Sequence, residues 1–505
     1  MALTFEQEPV STADKVPVIT NWNPMIGYML FNDDISSTFY FRLILEVYKG
    51  TSAVAANLLA KIKQRRNGYG SDNDGATQRA RAFFDLRDIV NSQVVDTTVD
   101  QNQIGVPFET IHKLGANSGD DSDGYAVTLK PYSVNGDSRT DETQAISIYV
   151  KGFQQYSDTA NEIPSEELSP TVADTLIYIP ASLPLLTARD DDSDYIQGTA
   201  FQPYQASSVT DLFLSDVESS IGEYNLSGYI NYVQWNDTTE VGDYHTVAFL
   251  NDYANFASDL DEIIVKYYGT DGSLLSTTTI DNTETYGGWT PSTSADMEDK
   301  HRLIYFGCGP GNLEGQTVAG FSGAKPSDAA NDGWAYYKIQ GTGSSGVGDP
   351  ATANYYFIKQ DGSCKGFKVR RLAWRNSLGC YDYFNFKMKS TQTIEVTRNN
   401  YSSIMGRFNA SKWYYNNTMR GKKTRQTTAV LKETLNTDWI TEQDGNLLEK
   451  LIMSTDVYIV ENADTDYTQG VMITDSSFAR KTRANDKMIQ YTIKIEYANN
   501  INTNS

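Results

Sequence analysis

The stretch from Met488 to Ala498 alternates residue by residue. Ile489, Tyr491, Ile493, Ile495 and Tyr497 fall on one side, and Gln490, Thr492, Lys494 and Glu496 on the other. A period of two fits an extended strand, whose successive side chains point to opposite faces; here one face is expected to be buried and the other to meet water or a partner. β-branched and aromatic runs bounded by turn residues recur along the chain: Thr38 to Val47, Tyr125 to Leu129, Gln144 to Phe153, His245 to Leu250, Glu262 to Tyr268, Arg302 to Phe306, Trp334 to Ile339, Tyr355 to Lys359 and Val457 to Val460. Asn67-Gly68, Asp271-Gly272 and Asp361-Gly362 supply hairpin turns between short strands. Short strands at this spacing predict a mainly β fold: two or three β-sandwich-like (Ig/FN3-like) domains with a few short helices and long loops.

Two helices interrupt the pattern. Phe84 to Val94 places Leu86, Ile89, Val90 and Val94 near one face. Gln443 to Met453 carries a Leu447, Leu448, Leu451 and Ile452 stripe, with Asp438 and Thr441 as candidate caps. Shifts in composition divide the chain into an N-terminal β-sandwich domain (1–155), an acidic Pro/Ser-rich linker or excursion (156–224), a second β-sandwich domain (225–375) and a C-terminal α+β assembly region (376–505). The terminal NNINTNS is expected to fray or to reach a neighbour.

Composition excludes several classes. No apolar run approaches the ~20 residues of a membrane helix. The opening MALTFEQEPVSTADK has no basic segment followed by an apolar one, so no secretory signal is expected. Cys308, Cys364 and Cys380 are odd in number and widely spaced, which suits neither a disulfide framework nor a zinc site. The Asp-rich loops at Asp72 to Asp74, Asp120 to Asp123 and Asp190 to Asp194 lack the alternate ligand positions and closing carboxylate of a calcium loop, and read as solvated turns. Gly341-x-Gly343-x-x-Gly346 follows a strand, but no helix start follows it to receive a pyrophosphate. Gly307-Cys308-Gly309-Pro310-Gly311 lacks the Lys-Ser/Thr of a phosphate loop. His112, His245 and His301 are isolated from any Ser or Cys in a recognisable frame. No catalytic residue, metal ligand or cofactor is therefore assigned, and the expectation is a non-enzymatic protein. The 33 Tyr suit half-buried strands, assembly interfaces and, less economically, sugar contact.

Charge is the most informative constellation. The whole chain carries −22, but Lys365 to Arg425 holds 14 Lys and Arg against only Asp382 and Glu395, a local +12. The first 360 residues hold 21 Lys+Arg against 49 Asp+Glu, net −28. Aromatics are interleaved with the basic residues. The candidate oligomer-interface set is Lys368, Arg370, Arg371, Trp374, Arg375, Tyr381, Tyr383, Phe384, Arg420, Lys422, Lys423 and Arg425. A basic face that meets the acidic part of another copy explains the segregation more economically than DNA contact by residues 365–425, because no nucleic-acid-reading motif accompanies it.

Within that stretch, KVRRLAWRNSLGCYDYFNFKMKST (Lys368 to Thr391) resembles a segment of tailed-bacteriophage virion structural proteins: a strand, an aromatic-rich turn around Asn-x-Leu-Gly, and a returning strand. LLEKLIMSTDVYIVE, the run GVMITDSSFARKTRANDKMIQYTIKIEYANNIN, and FYFRLILEVY with FFDLRDIV near the start are similar to the same proteins. The likeness covers about two-thirds of the chain and leaves residues 155–225 unmatched. In the turn, Gly379 is suited to supply a positive φ for the reversal, and Cys380 reads as a small buried hydrophobe. The resemblance implies a tail-, neck- or baseplate-associated virion protein, assembled in the bacterial host cytoplasm, with other copies of itself and other virion proteins as partners. The alternative within that family is a peripheral receptor- or carbohydrate-binding protein.

Overall fold

The computed structural model describes residues 3–7, 18–20, 27–32, 35, 38–50, 52–65, 80–91, 129–131, 146–166, 170–173, 176–179, 213–217, 224, 226–250, 260–281, 303–314, 321–343, 352–360, 366–460, 468–475, 477, 479, 489–499 and 502–504. The chain is mainly β, with several sheets and few helices, as the alternation predicts. It divides into two units. The first comprises residues 1–360 with 376–382, and the second residues 361–375 with 383–505.

Two sheets enclose the first core of unit one. A three-stranded sheet is built from Leu3–Gln7, Gly27–Asn32 and Ala80–Asp85. A seven-stranded sheet is centred on Phe39–Lys49 and Ile146–Ser157. Tyr28, Leu30 and Phe84 from the smaller sheet share one buried cluster with Leu43, Leu45, Val47, Ile148 and Val150 from the larger. Each is an inward-facing residue of its strand, so period two converts into a packed layer, although Ile44 on the opposite face of Phe39–Lys49 is buried as well.

A second pair of sheets follows in the same unit. One is seven-stranded, with Tyr229–Asn236, Tyr355–Gln360, Tyr336–Gly343, Leu260–Tyr268 and Leu274–Asp281 at its centre. The other joins Thr246–Leu250, Leu303–Gly307 and Leu129–Pro131. The tyrosines do core work here. Tyr267, Tyr337, Tyr355 and Phe357 are buried, with Tyr337 and Tyr355 stacked on Phe357 at 4.9 Å. The turn at Asp271-Gly272 forms as expected, with Gly272 at φ +77°. The Gly307–Gly311 run leads into the five-residue helix Pro310–Glu314, where the Asn312 side chain accepts hydrogen bonds from the backbone N–H of His245 and of Gly309. A Cβ at Gly309 would run into the backbone of Asp243 and His245, so that glycine serves close packing. His245 is buried edge-on against Phe357 and Tyr355.

Several expectations are corrected. The segment expected as a linker or excursion at 156–224 contributes strands: Ser165–Glu166, Thr171–Val172 and Leu176–Ile179 all pair with Ile146–Ser157, and Phe213 and Leu214 are buried. The expected boundary near 155 is bridged because Leu129–Pro131 completes the sheet of Leu303–Gly307. The main division falls at 360/361 rather than 375/376. The helix expected from Phe84 begins only at Arg87 and is described over Arg87–Asn91, since Phe84 is an inward residue of the strand Ala80–Asp85; residues 92–94 of the expected helix lie outside the described residues. The Asn67-Gly68 and Asp361-Gly362 turns, the three Asp-rich loops, His112, His301, Cys364 and residues 344–351 of the glycine-rich loop lie outside the described residues.

Unit two is organised on an eight-stranded sheet, in the order Tyr381–Phe386, Arg370–Arg375, Val457–Val460, Thr468–Ile473, Thr492–Tyr497, Lys422–Asn436, Thr391–Ser402, with Asn502–Asn504 also paired to Lys422–Asn436. The expected alternation holds: Ile489, Tyr491, Ile493, Ile495 and Tyr497 are all buried, while Thr492 and Lys494 are exposed. The terminal polar residues pair in register with Thr427 to Ala429. The helix Glu442–Met453 buries Leu447, Leu448 and Leu451. Its first turn is closed by a reciprocal capping box between Thr441 and Asp444, which satisfies two backbone donors. Among the described residues no helix is long and apolar enough to cross a membrane.

Candidate assembly interface

The basic segment singled out from the sequence separates into three structural environments. The first is internal. Arg370 Nε donates to Glu433 Oε1 at 3.1 Å, and Glu433 also accepts from the Tyr497 hydroxyl at 2.6 Å and from Gln392 at 3.1 Å. Burial by itself raises the Glu433 pKa. The hydrogen bonds from Tyr497, Ser390 and Gln392, together with the Arg370 charge, outweigh it and hold the carboxyl below its ordinary value. Arg371, 3% exposed, donates to Asn385 Oδ1 at 2.8 Å and lies 4.9 Å over the Tyr383 ring. Arg375 sits 3.7 Å from the Asp456 carboxylate, and its N–H donates to the Asp456 carbonyl. Trp374 and Tyr383 are fully buried.

The second environment is the turn Asn376–Asp382, which groups with unit one. The Asn376 side chain accepts from the N–H groups of Leu378 and Cys380 and donates to the Leu214 carbonyl at 3.0 Å. Gly379 adopts φ +86°, as the sequence requires of a reversal there. Ser377 donates from both its N–H and its hydroxyl to Asp216. Asp382 accepts from the Ser215 hydroxyl at 2.6 Å and from the Asp216 N–H at 2.8 Å. Burial raises the Asp382 pKa and the Asp216 carboxylate adds to the rise. Hydrogen bonds from Ser215, Asp216 and Asn376 offset this only in part. Leu378, Cys380 and Tyr381 are buried beside them. The residues of this turn are thus fastening residues.

The third environment is a ribbon. Thr391–Ser402 and Lys422–Asn436 pair antiparallel from Thr391↔Thr434 out to Ser402↔Lys422. Beyond them Arg407–Asn409 pairs with Lys412–Tyr414. All twelve residues of Thr391–Ser402 are exposed, so both faces of that strand are uncovered. Among the described residues this strand pairs with one neighbour only and forms an edge of the sheet. Large apolar side chains stand in the open: Ile404 is 84% exposed, Phe408 71% and Tyr415 66%, with Ile394, Trp413 and Met405 also exposed. Residues 391–425 hold Arg398, Arg407, Lys412, Arg420, Lys422, Lys423 and Arg425 against one acid, Glu395, which is 2.5 Å from Lys432. Arg407 hydrogen-bonds the Tyr414 hydroxyl and stacks over its ring.

The expected interface set is therefore not one surface. Arg371, Trp374, Tyr381 and Tyr383 are buried within the chain and offer nothing to a partner. Arg370 and Arg375 are tied to Glu433 and Asp456, and Phe384 is half-buried against Phe386. Lys368 is exposed away from the ribbon sequence, while Arg420, Lys422, Lys423 and Arg425 lie on it. Sequence reasoning missed Ile394, Ile404, Met405 and Phe408 as exposed apolar groups. A signal existed: from Thr397 to Thr428 neither alternate set of residues is consistently apolar, so neither face has a core to enter. No protein-family model matches the chain, and no curated protein matches it.

Proposed function

We propose that this chain is a non-enzymatic structural component of a tailed-phage virion, a self-associating ring, hub or baseplate-type protein of the tail or neck. The ribbon at residues 391–425 carries this reading. Beyond Arg398 and Thr427 the ribbon is two-stranded among the described residues, an arrangement only marginally stable alone, and it leaves apolar side chains and an open strand edge uncovered, which suits a surface that assembly completes. The likeness of Lys368 to Thr391 and of the C-terminal run to phage virion proteins supports the setting. The built turn at Asn376–Asp382 gives those similar residues a structural rather than a chemical task. Immunogold labelling of purified particles with an antibody to this chain tests the proposal. Label confined to the neck, tail or baseplate is expected, and particles free of label overturn it.

A second reading, a peripheral receptor- or carbohydrate-binding virion protein, draws on one observation: Phe408, Trp413 and Tyr415 present exposed rings near the ribbon tip. Glycan-array binding by the purified chain that disappears in Trp413→Ala would favour it over assembly.

A further inference from the structure

We infer that the ribbon at residues 391–425 is a docking arm whose occupant is the acidic first unit of a second copy of this chain. The inference rests on the self-association proposed above and names its two surfaces. Exposure is the first ground. The arm's side chains are uncovered among the described residues, which leaves them open to a second molecule. Charge is the second. Seven cations face one carboxylate on the arm, and that carboxylate, Glu395, is held by Lys432 at the arm's root. Among the described residues none of the seven makes an ion pair. The complement is present in the same sequence, because residues 1–360 carry 21 Lys+Arg against 49 Asp+Glu. Oppositely charged surfaces steer encounter and fix register, and like-charged pairings of arm with arm, or of acidic unit with acidic unit, are disfavoured.

The apolar content favours a protein over a nucleic acid. Ile404 and Met405 have no flat face on which a base could stack, yet both are exposed close to the aromatic tip. A partner that buries them gains from their removal from water, which a phosphate backbone does not provide. The open edge of Thr391–Ser402 contains neither proline nor glycine and can add main-chain hydrogen bonds to the same contact. Because the arm and its receiving surface are different patches, the contact is heterologous. Copies joined in this way run head to tail and either close into a ring or continue as a filament.

The test uses the full chain. In one variant Arg398, Arg407, Lys412, Lys422, Lys423 and Arg425 are each replaced by Glu. In a second, residues 399–426 are replaced by an Asn-Gly turn joining Arg398 to Thr427, which guards against misfolding of the first. Sedimentation velocity at low and high salt is expected to show wild-type oligomers that dissociate as salt rises, and association weakened by about 100-fold or more in both variants. A mixture of the charge-reversed variant with wild type should give shorter species than wild type alone, because the variant still accepts an arm but offers none. Wild type and variants associating alike would overturn the arm and leave self-association standing. Wild type monomeric at every salt and concentration would overturn self-association and the arm together. Arm-dependent binding of a DNA oligonucleotide without self-association would overturn the inference in favour of a nucleic-acid partner.

Discussion

Arg370, Arg371 and Arg375 lie fewer than thirty residues before Arg398 in one basic segment, yet the two groups meet opposite fates. The first group has its partners within the fold: Glu433, Asn385 with the Tyr383 ring, and Asp456. The second projects from a ribbon whose only carboxylate is already paired with Lys432. Burying a guanidinium costs several kcal/mol unless an acid or acceptor meets it, so Arg370 and Arg375 are tolerable because Glu433 and Asp456 arrive from distant parts of the chain, and Arg371, the most buried of the three, because Asn385 accepts from it. On the ribbon no such cost is incurred within the chain. Positive charge there is free to select a partner instead of supporting a core.

The sharpest way to break this comparison is to remove a partner from the internal group. Glu433→Ala leaves Arg370, Tyr497 and Gln392 without their shared acceptor, and is expected to lower unfolding stability by about 3–5 kcal/mol in urea titration. Nearby, Leu435→Ala opens a cavity at a fully buried site at the ribbon's root. It should cost about 2–5 kcal/mol by the same measurement.

The buried carboxylates respond to pH in opposite senses. The folded pKa of Glu433 lies below its unfolded value of 4.5, so its contribution is present above pH 4.5 and is lost as pH falls through the folded value. Asp382 has a folded pKa raised above 3.8, so its contribution is present below 3.8 and is lost as pH rises through the folded value. Replacing Asp382 with Asn should therefore remove a slope of up to ~1.4 kcal/mol per pH unit on the neutral side of a stability–pH profile. Glu433→Gln should flatten the acid side instead.

The smallest expected effect belongs to the ribbon. Ile404→Ser, at a position 84% exposed, should change unfolding stability by no more than ~0.5 kcal/mol while weakening self-association measured by sedimentation. A large stability loss in that variant would place Ile404 in a core and remove the contrast between root and arm.

Local physics accounts for what could be read from the chain. The burial of Ile489 to Tyr497, the Thr441 cap, the Asp271-Gly272 turn and the positive φ of Gly379 follow from period, side-chain hydrogen bonding and steric freedom, which act within a few residues. The helix expected from Phe84 starts three residues later because a lone inward aromatic fits either period over so short a span, and pairing of Ala80–Asp85 with Gly27–Asn32 decided for strand. The strands within the expected linker or excursion at 156–224 escaped notice for a related reason. Ser165–Glu166 and Thr171–Val172 are two-residue strands, too short to show a period, and they exist because Ile146–Ser157 offers them an edge.

By itself, then, the sequence determined a mainly β chain with its charge segregated into an acidic body and a basic stretch. Both are properties of residue order and count. Only the tertiary structure decided which basic and aromatic residues are fasteners and which are available. Burial depends on partners more than sixty residues away, such as Glu433 for Arg370 and Leu214 for Asn376. The ribbon's exposure likewise depends on no strand beyond Lys422–Asn436 pairing with Thr391–Ser402 among the described residues. Long-range pairing carries no local signature, which is why one charged segment in the sequence became a core, a turn and an arm.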